Sequence, residues 1–164
     1  MQLKNALWDF ALSFYQCPDV EDSCLYLQNQ KGADISRLLF AFWSALESVE
    51  LTADDFKGDA SQWRTEITAP LRALRYKVRE EKTLFPECYQ KMRAAELACE
   101  QVELALLFSA VAARKRQDYQ PELLKQNVQH YLDVAGIESD EGVDEHLNKL
   151  IQALSIYKQE ADKD

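Results

Sequence analysis
From Pro86 to Gln117 the chain runs about thirty residues with no glycine and no proline after the first position, and its apolar residues sort into helical faces. At 1.5 Å per residue such a helix is roughly 45 Å long. A compact domain of 164 residues has a radius of gyration near 15 Å, hence a diameter of about 40 Å. One helix therefore crosses the molecule, and the fold should be organised around it. The expectation is an all-α, single-domain helical bundle of about six to eight helices around one long central helix, about 86–117.

The other segments fit this reading. A first helix is expected over about Leu3–Gln16, with Leu3, Leu7, Phe10, Ala11 and Phe14 on one face. Pro18 and the acids after it open a second, which stops at Lys31-Gly32. Asp34 and Ser36 open a third, Ile35–Val49, apolar on most sides and so central. Thr52 with Asp55 three residues on is an Asp-bearing variant of a capping box. It begins a segment interrupted at Gly58, resumed through Trp63 and Ile67, kinked or restarted at Pro70, and continued to Lys82. Pro121 opens a helix that ends at Gly136, and a last one covers about Asp140–Tyr157. No strand alternation and no internal repeat appears. The domain is expected to span 1–158, with 159–164 as a frayed acidic tail.

Within the long helix, Cys88, Met92, Ala95, Cys99, Val102, Leu106 and Ala113 follow the four-three spacing of a packed seam. Leu97, Leu104, Phe108 and Val111 make a second apolar row, and Arg93, Glu96, Glu100 and Glu103 make a polar wall. Arg114, Lys115 and Arg116 suit the negative end of the helix dipole, or else form a docking patch.

Hydrophobic residues are 47% and charged residues 29%, an ordinary globular balance with enough apolar content for a real core. The net charge of −9 argues against bulk nucleic acid and against anionic membrane surfaces. The acidity is strongest in the C-terminal part (Glu138, Asp140, Glu141, Asp144 and Glu145, then Glu160, Asp162 and Asp164). The longest uncharged run, Leu104–Ala113, is far short of the ~20 residues that span a bilayer. Asp9 interrupts what a signal peptide would keep apolar. Cys17, Cys24, Cys88 and Cys99 contain no CxxC pair and read as reduced, half-buried thiols. A soluble cytoplasmic protein is expected.

Against that acidic background the stretch from Trp63 to Lys82 is basic. Arg72, Arg75 and Arg79, spaced three and four apart, share one helical face, and Arg64 stands two turns earlier on nearly the same stripe. Arginine forks bind phosphate or carboxylate bidentately, so the stripe either holds an anionic ligand or acidic partner, or pairs with the Glu96–Glu100–Glu103 row. Other chemistry is thinly supplied. Asp54, Asp55 and Asp59 resemble a magnesium-binding aspartate cluster, but the spacing is imperfect and capping accounts for the first two. No Glu-x-x-His pair supports a di-iron centre, and His130 and His146 lack zinc-finger spacing. Two histidines in the polar C-terminal third are poor general bases. Trp8, Trp43 and Trp63, with Tyr15, Phe40 and Phe42, read as core. No metal, no cofactor and no catalytic residue is expected.

Three stretches together carry a resemblance: LWDFALSFYQCPDVEDSCLYLQNQKGADISRLLFAFW, then W-x6-PLRALR from Trp63 to Arg75, then AAELACEQVELALLF from Ala94 to Phe108. They resemble a family of short proteobacterial proteins of about this length, a conserved domain of unknown function. The most specific elements are the Leu-Gln-x3-Gly-Ala-Asp segment, Leu27 to Asp34, and the Pro-Leu-Arg-x2-Arg segment, Pro70 to Arg75. The resemblance covers roughly the first 110 residues and implies a bacterial cytoplasmic protein, with no activity to carry over.

The sequence thus points to a non-enzymatic helical protein that binds an unidentified protein partner, using Arg64, Arg72, Arg75 and Arg79 or a neighbouring groove. The alternative is a site for a phosphate- or carboxylate-bearing small molecule between the fourth and fifth helices, with an enzyme as the third reading.

Overall fold
The structure, a computed structural model, describes residues 1–118 and 120–163; Asp164, the end of the expected acidic tail, lies outside the described residues. The helices are α1 (Ala6–Tyr15), α2 (Val20–Lys31), α3 (Ile35–Leu46), α4 (Asp59–Trp63), α5 (Ala69–Arg79), α6 (Pro86–Val111), α7 (Pro121–Ala135) and α8 (Glu141–Ala161). A short 3-10 turn, Ala53–Phe56, precedes α4, and a π turn, Arg64–Thr68, joins α4 to α5. Among the described residues there is no strand, and the all-α bundle expected from the sequence is what forms.

Local chemistry sets the ends. Asn5 caps α1 by accepting the Trp8 N–H at 3.0 Å, so the helix starts at Ala6 and Leu3 stays 41% exposed instead of joining the buried face. Gly32, with φ +71°, stops α2: its N–H donates to the Gln28 carbonyl at 3.1 Å, and the Ala33 N–H to the Leu27 carbonyl at 3.0 Å. Asp34 follows at once as the N-cap of α3. The Leu27–Asp34 segment is therefore a helix stop and restart compressed into a few residues.

α3 is the innermost helix. Leu38 to Ala45 are all buried, and Phe40, fully enclosed, meets the Phe56 ring edge-on at 5.8 Å. α7 packs on α3, and α8 packs on α2. Gly142 admits α8 to that contact, since a Cβ there would stand 2.1 Å from the Tyr26 hydroxyl oxygen.

Pro70 restarts its helix as the sequence expects: a π turn, in which the Ala69 N–H reaches the Arg64 carbonyl, interrupts the helix just before it, and α5 begins at Ala69 with Pro70 in its first turn. One expectation about the middle of the chain changes. The long helix ends at Val111, not near 117. Tertiary bonds pull the chain off the helix axis there: the Arg114 guanidinium binds the Glu50 carbonyl and Asp55, and the Gln117 N–H donates to the Ser48 carbonyl. Arg114 and Arg116 thus serve Asp55 and Glu47.

The faces of α6 are also turned relative to expectation. Glu96 and Glu103 of the polar wall are buried and Glu100 is half-buried, while Cys88, Ala95 and Ala113 of the apolar seam are exposed. α5 buries no residue, and α6 buries none before Glu96. Residues 69–95 thus form a two-helix arm whose helices pack on each other and whose outer apolar face is open. Replacing Phe40 by Ala is expected to cost about 3–5 kcal/mol in urea denaturation, through lost contacts and a cavity at the centre of the bundle. A loss below about 1 kcal/mol would mean that α3 is not the core helix.

Candidate functional site
The charged residues of the three family-like stretches meet at the root of the arm. On α6, Glu96, Glu100 and Glu103 recur at four-three spacing; opposite them, α4, the π turn and α5 present Arg64, Arg72 and Arg75. The helices run antiparallel, so the pairs form a ladder. Arg75 donates from Nε to Glu96 Oε2, and from Nη2 to Glu96 Oε1 at 3.3 Å. Arg72 donates to Glu96 Oε1 at 2.6 Å and to Glu100. Arg64 Nη1 lies 3.9 Å from Glu103 Oε2, and its Nε lies 2.9 Å from Asp34 Oδ2. Arg37 Nε, 3.4 Å from the same Asp34 oxygen, completes the network of four arginines and four carboxylates.

The π turn sets the register of this ladder. In an unbroken α-helix Arg64 would stand about 20° round the axis from Arg75 and about 80° from Arg72. One extra residue in the intervening turn brings it to about 20° from Arg72 and about 80° from Arg75. In this register Arg64, Arg72 and Arg75 address one neighbouring helix.

Burial decides the electrostatics. Burial pushes Glu96 up, but the hydrogen bonds from Arg75 and Arg72 outweigh it, and its carboxyl ends below the usual carboxylate range. Glu103, wholly enclosed, goes the other way. Burial and then the Asp34 carboxylate raise it well above that range, against the weaker pull of Arg64 and Arg37. Among the described residues no N–H or hydroxyl donates to either Glu103 oxygen, so the raised carboxyl is left to share its proton with Asp34, and the enclosed hydroxyl of Thr68 in the π turn has no partner. Asp34 is fixed from three sides: its carboxylate caps α3, its N–H donates to the Tyr131 hydroxyl at 2.6 Å, and Arg64 sits on Oδ2.

The sequence prediction of Arg64, Arg72, Arg75 and Arg79 as one stripe therefore divides. The first three meet the glutamate row, and protein carboxylates fill the forks that an anionic ligand would use. Arg79 lies beyond the ladder, its guanidinium carbon 6.0 Å from the centre of the Tyr76 ring. Asp34, Arg37 and Tyr131 were missed as members. Their sequence signal was the Leu-Gln-x3-Gly-Ala-Asp segment, whose aspartate read only as a helix start. Asp55 binds Arg114 and Asp54 binds Lys57, so the aspartate cluster is dispersed among cations. Among the described residues no three His, Cys, Asp or Glu side chains gather as a metal site. His146 stacks on Tyr26 at 4.0 Å and meets the Ser23 hydroxyl at 3.2 Å, within the α2–α8 packing. Burial raises the Cys24 thiol to about 12, which suits an inert core group. Trp43 is core, and Trp63 donates to the Cys99 carbonyl at 3.0 Å.

Above the ladder, the open face of the arm holds a groove of about 490 Å³ lined by Leu71, Glu87, Cys88, Lys91, Met92 and Ala95. Leu74 is 51% exposed beside it, and Leu84 and Phe85 at the tip are 70% and 60% exposed. A second cleft, about 110 Å³, is lined by polar side chains such as Glu50, Asp118 and Glu122. Among the described residues no helix is long and apolar enough to cross a membrane.

The fold and site define a helical bundle carrying a charge-braced two-helix arm. The profile of the family described as Protein of unknown function (DUF2390) matches residues 6–107, and the chain belongs to that family. The match takes in α1 through most of α6, and so the arm and every network member except Tyr131. No curated protein and no solved structure matches the chain.

Replacing Glu96 by Ala leaves the largely buried Arg75 without a carboxylate and Arg72 with Glu100 alone, and is expected to cost roughly 3 kcal/mol in urea denaturation. A change under about 0.5 kcal/mol would show the ladder to be incidental. Glu103 yields a pH prediction. Its folded value is raised, so its stabilising contribution is complete below the unfolded value of 4.5 and is lost as pH rises through the folded one. The contributions of Glu96 and Asp55, whose values are lowered, are lost only as pH falls below 4.5 and 3.8. Unfolding measured from about pH 5 to about pH 9 should therefore show Glu103→Gln gaining steadily on wild type. A constant difference would place an ionised carboxylate at this position.

Proposed function
We propose that this is a non-enzymatic interaction protein whose docking element is the α5–α6 arm. The observation that carries the reading is the open apolar face of an arm whose inner face is already spent on the ladder. Large exposed apolar surfaces on soluble domains mark interaction sites. Charge supports the same element. Residues 69–95 hold seven basic against three acidic side chains, leaving twelve basic against twenty-five acidic in the rest of the chain. Arg72 and Arg75 are internal braces in this reading, while Lys77, Arg79, Lys82 and Arg93, which have no ion pair among the described residues, are the cations a partner meets. The Arg-rich face contributes by holding the arm in place and by its outward end.

A photo-reactive phenylalanine analogue in place of Leu74 is expected to cross-link to protein in the native cell, and Met92→Glu in the same chain should abolish that product. The same label at Leu25, exposed on α2, is the control. Absence of any protein adduct specific to the arm would end this reading.

A further inference from the structure
We propose that the arm docks onto the arm of a second copy of this chain, the two lying antiparallel about a two-fold axis. The proposal rests on the arm being the docking element and names its occupant. Three features of the arm point to a self-complementary surface. First, it carries both a hollow and a projection on one element: the groove of Leu71, Cys88, Met92 and Ala95 on the shaft, flanked by the Glu87–Lys91 pair, and Leu84 and Phe85 standing out at the tip. A two-fold axis uses each twice, tip of one copy into shaft of the other and the reverse, and so closes the assembly at a dimer.

Second, the arm's acids all lie toward the tip. Residues 79–87 carry Glu80, Glu81 and Glu87 together with Arg79 and Lys82, and Glu87 pairs with Lys91 of its own chain, whereas residues 69–78 and 88–95 carry Arg72, Arg75, Lys77, Lys91 and Arg93 and no acid. Antiparallel overlap sets Glu80 and Glu81 beside the shaft cations at both ends; parallel overlap stacks shaft cations on shaft cations. Third, Cys88 and Ala95 are small, so the facing α6 helices can approach closely, and two hairpins joined this way make a four-helix bundle. Each arm then buries the apolar face that its own body leaves open, while the acidic bodies point apart.

Analytical ultracentrifugation of the full chain tests this. Wild type is expected to populate a dimer at micromolar concentration, the weak end for an interface of standard size. Met92→Glu, with helicity and melting unchanged, should weaken the dimer by at least about tenfold. Inverting the tip with Glu80→Lys and Glu81→Lys should weaken it too, and adding Lys77→Glu and Lys91→Glu to that chain should restore it. A short bis-maleimide should join two copies through Cys88, and Cys88→Ser should remove that product while leaving sedimentation unchanged. A monomer at about 300 µM would overturn the proposal, as would a dimer indifferent to Met92→Glu. An arm adduct to a different protein, with this chain monomeric, would overturn the second copy as occupant and leave the arm as the docking element.

Discussion
The two guanidinium groups held by Glu96 are the contact on which the shape of this protein turns. α5 buries none of its residues, so hydrophobic burial alone does not fix where it stands. Its position comes from Arg72 and Arg75 closing on one carboxylate at the point where α6 leaves the core. Pairs of this kind gain little net stability once desolvation is counted, but their geometry is demanding, and removing one partner leaves charge stranded. A ladder of such pairs holds the arm at one angle to the bundle while leaving its far side apolar and open.

The register of the ladder is set by an irregularity. A regular helix from Asp59 to Arg79 would set Arg64 in line with Arg75, about 20° apart. One π turn, which takes the Ala69 N–H back five residues to Arg64, sets it in line with Arg72 instead. It also carries Thr68 into the interior, where its hydroxyl has no hydrogen-bond partner among the described residues. Polar groups lacking partners are rare in protein interiors and concentrate where a structure is doing more than packing. Here they gather under the root of the arm.

Much of this was legible in the chain. Helix stops at Gly32 and Gly136, starts at Asp34 and Pro121, and the greasy character of α3 followed from local chemistry, which needs only neighbours in sequence. That Arg72 and Arg75 could meet Glu96 and Glu100 was visible as one of two outcomes. The membership of Asp34 and Tyr131 was not, because Asp34 joins through Arg64 from a separate part of the chain and the Tyr131 hydroxyl reaches the Asp34 N–H from 97 residues away. The turned faces of α6 were not legible either. Periodicity ranks faces by hydrophobicity, and it assigned the interior to Cys88, Met92 and Ala95 because charged residues ordinarily face water.

What the sequence determined by itself is the helical content, the helix boundaries set by caps, and the presence of a basic stripe in an acidic chain. These are properties of short segments, governed by backbone geometry and spacing. The tertiary structure alone decided which face of α6 is inside, where that helix ends, and that the first three arginines of the stripe turn inward. Those outcomes depend on a carboxylate finding a guanidinium across the fold, and the energy of that meeting exceeds the preference of either side chain for water only when both are already held in place.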